Sequence, residues 1–427
     1  MSDLAARRKG WCPGARRPMQ TGDGLLVRVR ISCGAVPVAL ARRLALLSAL
    51  HGNGEIDLSQ RANLQLRGVT EASLTPLLDT LAGLGVLDAT AEQEAVRNVL
   101  VSPLAGLDPG CADAAGIGRQ LERRLVADAA LQGLPGKFAF TVDGGGVIPL
   151  GWTPSDISLC SEGVGRRWVV RLAGDDTLGA AVDSAAAVGS LVRTAAAFLA
   201  ERGRVGADKL RRMRDLVAER GIRRVLALCL PQAAVVDLPL QPPAPRAIGQ
   251  QRLRGDRVLA MVGLPFGRIK SEQLASLATA AEQEGIPALR LTPWRALFLP
   301  CASAESASRI LATAEEAGLI VEAGDPRRAF DACPGFPACT SAETPAREDA
   351  QRLAAALGAR AIAMGSIHVS GCGKGCARSA AADITLVGRA GRYDLVRRGT
   401  ASGPVAVSGI ERADLARAVT AATESRA

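Results

Sequence analysis

Four cysteines stand out by type and spacing. Cys333 and Cys339 lie in DACPGFPAC, and Cys372 and Cys376 lie in SGCGKGC. The pattern is C-x5-C, then 32 intervening residues, then C-x3-C. Four thiolates can each hold one iron corner of a cubane, so a 4Fe–4S cluster is the chemistry these residues point to. The glycines and prolines between them let the backbone wrap closely and aim N–H groups at sulfur. Zinc is the metal alternative, but zinc pairs usually come as C-x2–4-C, so C-x5-C fits it poorly. Four unrelated thiols is the bland reading.

The other six cysteines, Cys12, Cys33, Cys111, Cys160, Cys229 and Cys301, are scattered and read as small buried hydrophobes. Ten cysteines in 427 residues is not the density of a disulfide scaffold. With no apolar stretch after the basic N-terminus and no long apolar run, the expectation is a cytoplasmic protein without membrane attachment.

Positioning such a site requires more than one core, and 427 residues with 48% hydrophobic content allow two to four domains. An internal repeat organises them. GLLVRVRI at 24–31, a helical run at 38–50 and IDLSQRANLQLRG at 56–68 find counterparts in GLPFGRIK at 263–270, a helical face at Leu274, Leu277 and Ala281, and PALRLTPWRALFLP at 287–300. Within the repeat, Leu58-Ser59 before Arg61 matches Leu291-Thr292 before Arg295. PLQPPAP at 239–245 reads as a stiff boundary between halves. The expected division is an N-terminal segment and first unit at 1–95, a larger domain at 96–238, the linker at 239–249, a second unit at 250–325 and a cluster-binding domain at 326–427.

The net charge of +10 favours an anionic partner. Nucleic acid is disfavoured, because aromatics are only 3% of residues and no helix-turn-helix or RNA motif appears. An anionic small molecule suits the composition. No G-x-G-x-x-G follows a strand, so a built-in nicotinamide site is not indicated.

C-x5-C then C-x3-C near the end of a duplicated chain resembles the nitrite/sulfite reductase family. The resemblance implies an α+β, pseudo-twofold fold with two ferredoxin-like units and two larger α/β domains. It implies a 4Fe–4S cluster at Cys333, Cys339, Cys372 and Cys376, with Cys376 at the position that bridges to siroheme iron in the reductases. It also carries over anion-binding cations, onto Arg61, onto Arg97 of R-N-V, and onto Lys137 of L-P-G-K-F-A. Where the reductases have a second lysine, this chain has Ala139.

That departure, GWCPGARRPMQTGDGLLVRVR at 10–30 and the Lys of GCGKGC resemble the precorrin-3B synthase branch. The branch implies an oxygen-dependent monooxygenase of aerobic cobalamin synthesis. It takes precorrin-3A and dioxygen as substrates, hydroxylates C-20 and closes a γ-lactone. It further implies a mononuclear non-heme iron and a separate reductase or ferredoxin as electron donor. A siroheme-dependent sulfite or nitrite reductase is the alternative.

Precorrin-3A is a polycarboxylate, which suits bidentate arginines and a net positive chain. Arg28 and Arg30 alternate with Val27 and Val29 and read as a solvated strand face. The only two histidines are His51, expected in a loop, and His368, in a strand-like run close to Cys372. Either could ligate the mononuclear iron.

Overall fold

The computed structural model of the protein describes residues 12–151, 153–239, 248–255 and 257–424. The start of the GWCPG motif and most of the proline-rich linker lie outside the described residues.

The repeat is real, but its strands are offset from the sequence reading. The strand Gly24–Val29 corresponds to Val258–Gly263, a run buried along its whole length. GLPFGRIK instead forms a tight turn at Pro265–Gly267 and the short strand Arg268–Lys270. Its mate is Ser32–Gly34 followed by Ala35–Pro37. Cys33 and Phe266 hold the same place in these turns, both at φ 53°.

The short strands are exchanged between the units. Arg268–Lys270 pairs antiparallel with Glu55–Leu58 of the first unit, and Ala35–Pro37 pairs with Ala288–Leu291 of the second. The five-stranded sheet of each repeat unit therefore ends on a strand from the other half. Behind them, helix Val38–His51 packs against helix Ser271–Gln283. Ala41, Leu44, Ala45 and Ser48 are buried on the first, and Leu274, Leu277, Ala278 and Ala281 on the second. This i, i+3, i+4, i+7 spacing puts one stripe inward from each helix, and the two stripes join in a single core.

The larger domains carry one sheet each. In the first, Val99–Val101, Phe140–Asp143 and Ile157–Glu162 run parallel, and three antiparallel strands follow. In the second, Phe330–Ala332, Ile367–Ser370 and Ala382–Arg389 run parallel, followed by two antiparallel strands. Parallel neighbours deliver their outgoing loops to the same edge of a sheet. Cys333 directly follows the strand Phe330–Ala332, and Cys372 lies two residues beyond Ile367–Ser370. This topology is what brings distant cysteine pairs to one place. No helix among the described residues is long and apolar enough to cross a membrane.

Candidate functional site: a cysteine-lined loop pair beside a nest of cations

The two cysteine loops interlock through glycines. Gly335 sits at φ +74°, and a Cβ there would fall 2.3 Å from the Ala346 nitrogen. A Cβ on Gly371 would fall 2.7 Å from the Ala342 Cβ. The Gly371 N–H donates to the Cys333 sulfur at 3.1 Å. Burial pushes the Cys333 thiol up, the Gly371 and Gly335 N–H groups oppose this, and the nearby Cys339 and Cys372 thiols add to the rise. Cys333, Cys339 and Cys372 are thus close neighbours, and Cys376 follows on the same short loop.

No three His, Cys, Asp or Glu side chains among the described residues close on one point as ligands of a single ion. A cubane asks for something different, because each thiolate takes its own iron corner and the sulfurs stand farther apart. Four thiols on glycine-rich loops with an N–H aimed at sulfur fit such a cluster. A cage for a mononuclear iron is another matter, and the described residues do not supply one. His51 ends the helix Val38–His51 rather than lying in a loop. His368 is 0% exposed within the strand Ile367–Ser370, under the cysteine loop, its Cε1 3.6 Å from where a Gly375 Cβ would stand.

Around these loops runs a frame of ion pairs. Gly22 donates to the Ala338 carbonyl, and Arg67 Nη2 reaches the same oxygen at 2.9 Å. Arg67 also holds Asp23 and Asp57. Asp57 additionally takes Arg268 at 2.8 Å and Arg347 at 3.3 Å. On the other side, Gln60 Nε2 and Arg295 Nη2 both donate to the carbonyl of Ala377, at 2.6 and 2.8 Å. Ala377 is the residue after Cys376.

The repeat pairing of Arg61 with Arg295 does not hold. Leu58 pairs with Leu64, and Leu291 with Leu297, so the two turns superpose residue for residue. Ala62 and Arg295 then share one place, at φ 53° and 57°. Arg61 corresponds to Trp294.

Arg61 Nη1 lies 3.9 Å from the Cys12 sulfur, and its Nη2 donates to the carbonyl of Lys137 at 3.0 Å. Arg61 therefore touches the Lys137 backbone, and the charges of both act on Cys12. Arg97 is committed elsewhere. It clasps Asp88 through Nε and Nη2 at 2.8–3.1 Å and donates to the Arg30 carbonyl. The Asp88 carboxylate raises Arg97 above its ordinary value despite burial.

Arg28 and Arg30 are not on a solvated face. Arg30 is 5% exposed and bonds Asn98. The segment at Gly14 and Ala15 covers this strand, with Arg28 N–H donating to the Gly14 carbonyl. Burial pushes Arg30 down to about 10. Ala139 is buried, and its N–H donates to Asp156, a fully buried carboxylate clamped by Arg212. Arg212 is close enough to depress Arg61. So a cation stands near the missing lysine, already neutralised by its own partner.

The role of Cys12 and the Asp156–Arg212 pair escape the sequence reading, while Arg28 and Arg30 are there read as a solvated face. GWCPG was the one signal that could have pointed to Cys12.

Residues 17–84 and 252–317 match the nitrite/sulfite reductase ferredoxin-like half domain. A precorrin-3B synthase from Sinorhizobium sp is 33% identical over 407 residues, 94% of this chain and 85% of that protein. The chain belongs to the nitrite/sulfite reductase family, on its precorrin-3B synthase branch. A sulfite reductase [ferredoxin] of Mycolicibacterium paratuberculosis is 26% identical, covering 85% of this chain and 70% of the relative. A ferredoxin–nitrite reductase of Synechococcus elongatus is also 26% identical, over 88% and 78%. The structure of Mycobacterium tuberculosis NirA superposes with a TM-score of 0.72 over 92% of this chain and 79% of that one, at 22% identity, which shows the α+β fold of the family.

Proposed function

We propose that this chain is a precorrin-3B synthase. It hydroxylates precorrin-3A at C-20 with dioxygen, with closure of a γ-lactone, as a cytoplasmic step of cobalamin synthesis. The observation that carries the reading is one short turn. Gln60 seats the loop after Cys376, and the next residue, Arg61, reaches Cys12 and the Lys137 carbonyl. A polycarboxylate held by Arg61 and Lys137 would therefore lie beside the cysteine loops.

Cys333, Cys339, Cys372 and Cys376 are the proposed cluster ligands, and the cluster supplies single electrons when bound. Arg61 and Lys137 orient the substrate through its carboxylates and fix which edge of the macrocycle faces Cys376. Arg97 serves by fixing Arg30, whose carbonyl it holds. Electrons come from a separate reductase or ferredoxin. The domain division at 96, 239, 250 and 326 is part of the same proposal, qualified by the exchanged strands. A mononuclear iron finds no cage among the described residues, and no step is routed through one.

The reductase reading is weaker. Its relatives are more distant, and Ala139 with the neutralised Arg212 leaves fewer uncompensated cations for a small anion such as sulfite. An anaerobic absorption spectrum with acid–acetone extraction separates the two. Broad cluster absorption without extractable siroheme supports the synthase. Stoichiometric siroheme overturns it.

A further inference from the structure

Five of the six cysteines outside the cluster loops behave as buried hydrophobes. Burial raises the thiols of Cys33 and Cys301 and pushes Cys111, Cys160 and Cys229 up to about 12. Cys12 is the exception. Burial alone would raise it too, but Arg28, Arg61 and Lys137 outweigh that and bring it below its ordinary value. A thiol in such a setting carries thiolate character.

The surroundings point to an anion. Arg28 comes from strand Gly24–Val29, with Arg30 just beyond it. Arg61 comes from the turn at 59–63, and Lys137 from the segment before Phe140–Asp143. Arg212 stands behind Arg61, neutralised by Asp156. Arg97 stands behind Arg30, neutralised by Asp88. Glu94 is the carboxylate facing this group, and it is already occupied by the N–H groups of Ala15 at 2.6 Å and Arg16 at 3.0 Å. A second observation is independent of the thiol. Arg30 is 95% buried (5% exposed), and its Nε has no partner among the described residues; the same is true of Arg28 Nε. A buried, unsatisfied guanidinium N–H is costly unless an anion meets it. The same three cations would repel a ferrous ion, so Cys12 is poorly placed as a metal ligand.

We propose that Cys12 is the resting counter-anion of a carboxylate site. Its sulfur lies 3.9 Å from Arg61 Nη1, and a carboxylate of the incoming ligand displaces it from these cations. The inference rests on the reading above that the ligand is a polycarboxylate tetrapyrrole. It makes Cys12 a gate on affinity, because the ligand must first compete with an anion built into the chain.

Fluorescence titration of the full-length, cluster-loaded protein with uroporphyrin III, a tetrapyrrole octacarboxylate, tests this. Removing the internal anion with Cys12→Ala or Cys12→Ser tightens binding by roughly tenfold, and fixing a charge there with Cys12→Asp weakens it by a similar factor. Cluster absorbance and thermal midpoint confirm that each variant is folded, and the neutral pair suffices should the aspartate variant fail. Equal affinities in wild type, Ala and Ser overturn the proposal, as does weaker binding by Ala. Absence of binding by wild type and every variant removes the polycarboxylate reading itself, and the counter-anion with it.

Discussion

Asp57→Asn is the most demanding test of how the cysteine loops are held. Asp57 is 5% exposed and accepts from Arg268, Arg67 and Arg347. Arg268 has a second carboxylate in Glu55, and Arg67 has one in Asp23. Among the described residues Arg347 pairs only with Asp57, through Nη2, and its Nε and Nη1 have no hydrogen-bond partner. Burial already pushes Arg347 down to about 10. The asparagine therefore strands one buried guanidinium. Breaking a buried pair on one side costs about 3–5 kcal/mol. At about 2–4 °C per kcal/mol for a domain of 150–250 residues, the melting transition drops by roughly 6–20 °C.

Differential scanning calorimetry, with cluster absorbance followed in parallel, measures the loss. Adding Arg347→Met removes the stranded charge and recovers much of it, since contacting residues are not additive. The pH dependence has a definite sign. Burial would raise the Asp57 carboxyl, but Arg347, Arg268 and Arg67 outweigh it and hold it well below the ordinary carboxylate range. Its contribution is complete above that range and is lost as pH falls through and below it. The wild type loses stability on acidification more steeply than the asparagine variant. A melting point within 2 °C of wild type in Asp57→Asn, about the least expected for 1 kcal/mol, refutes the reasoning. So does a double variant no better than the single one.

Other expectations follow from the same geometry. Cys339→Ser strips cluster colour and iron together, and a variant that keeps its full iron content removes Cys339 from the ligand set. Gly335→Ala meets both a left-handed backbone and the Ala346 nitrogen. Cluster loading falls sharply and stability drops by at least about 2 kcal/mol, checked by iron assay and urea denaturation. Arg61→Ala weakens uroporphyrin III binding by about tenfold or more with an unchanged cluster spectrum, on the scale of one charge-assisted contact. Arg97→Ala instead strands the largely buried Asp88 carboxylate, so its main loss is about 3 kcal/mol of stability. Reversal of those two phenotypes would mean the cations have been misassigned.

How much of this is legible in the chain depends on how local the cause is. The cysteine loops announce themselves because ligand type, spacing and glycine content sit within a few residues. The helices at Val38–His51 and Ser271–Gln283 are legible from periodicity. The strand exchange is not, because Arg268–Lys270 shows no sign of preferring Glu55–Leu58 over a strand of its own half. Arg28 and Arg30 alternate with valines as a solvated face would, and only the Gly14–Ala15 cover makes that face an interior. The repeat register slips by one because matching Arg61 to Arg295 follows side chains. The turn is set by the left-handed position, where Ala62 and Arg295 coincide. Cys12 acquires its character from three separate segments, none adjacent to it in sequence.

The exchanged strands also impose an order on biosynthesis. When Glu55–Leu58 leaves the ribosome, its outer edge has no mate until Arg268–Lys270 appears, about 210 residues later. At roughly 5–20 residues per second that is about 10–40 seconds with an open sheet edge, the kind of surface that recruits foreign strands. The two halves cannot mature in turn and dock afterwards, because each lacks a border strand until both exist. Splitting the gene at the proline-rich boundary would yield two fragments with sticky edges. Co-expression of the fragments, in contrast, would let each complete the other.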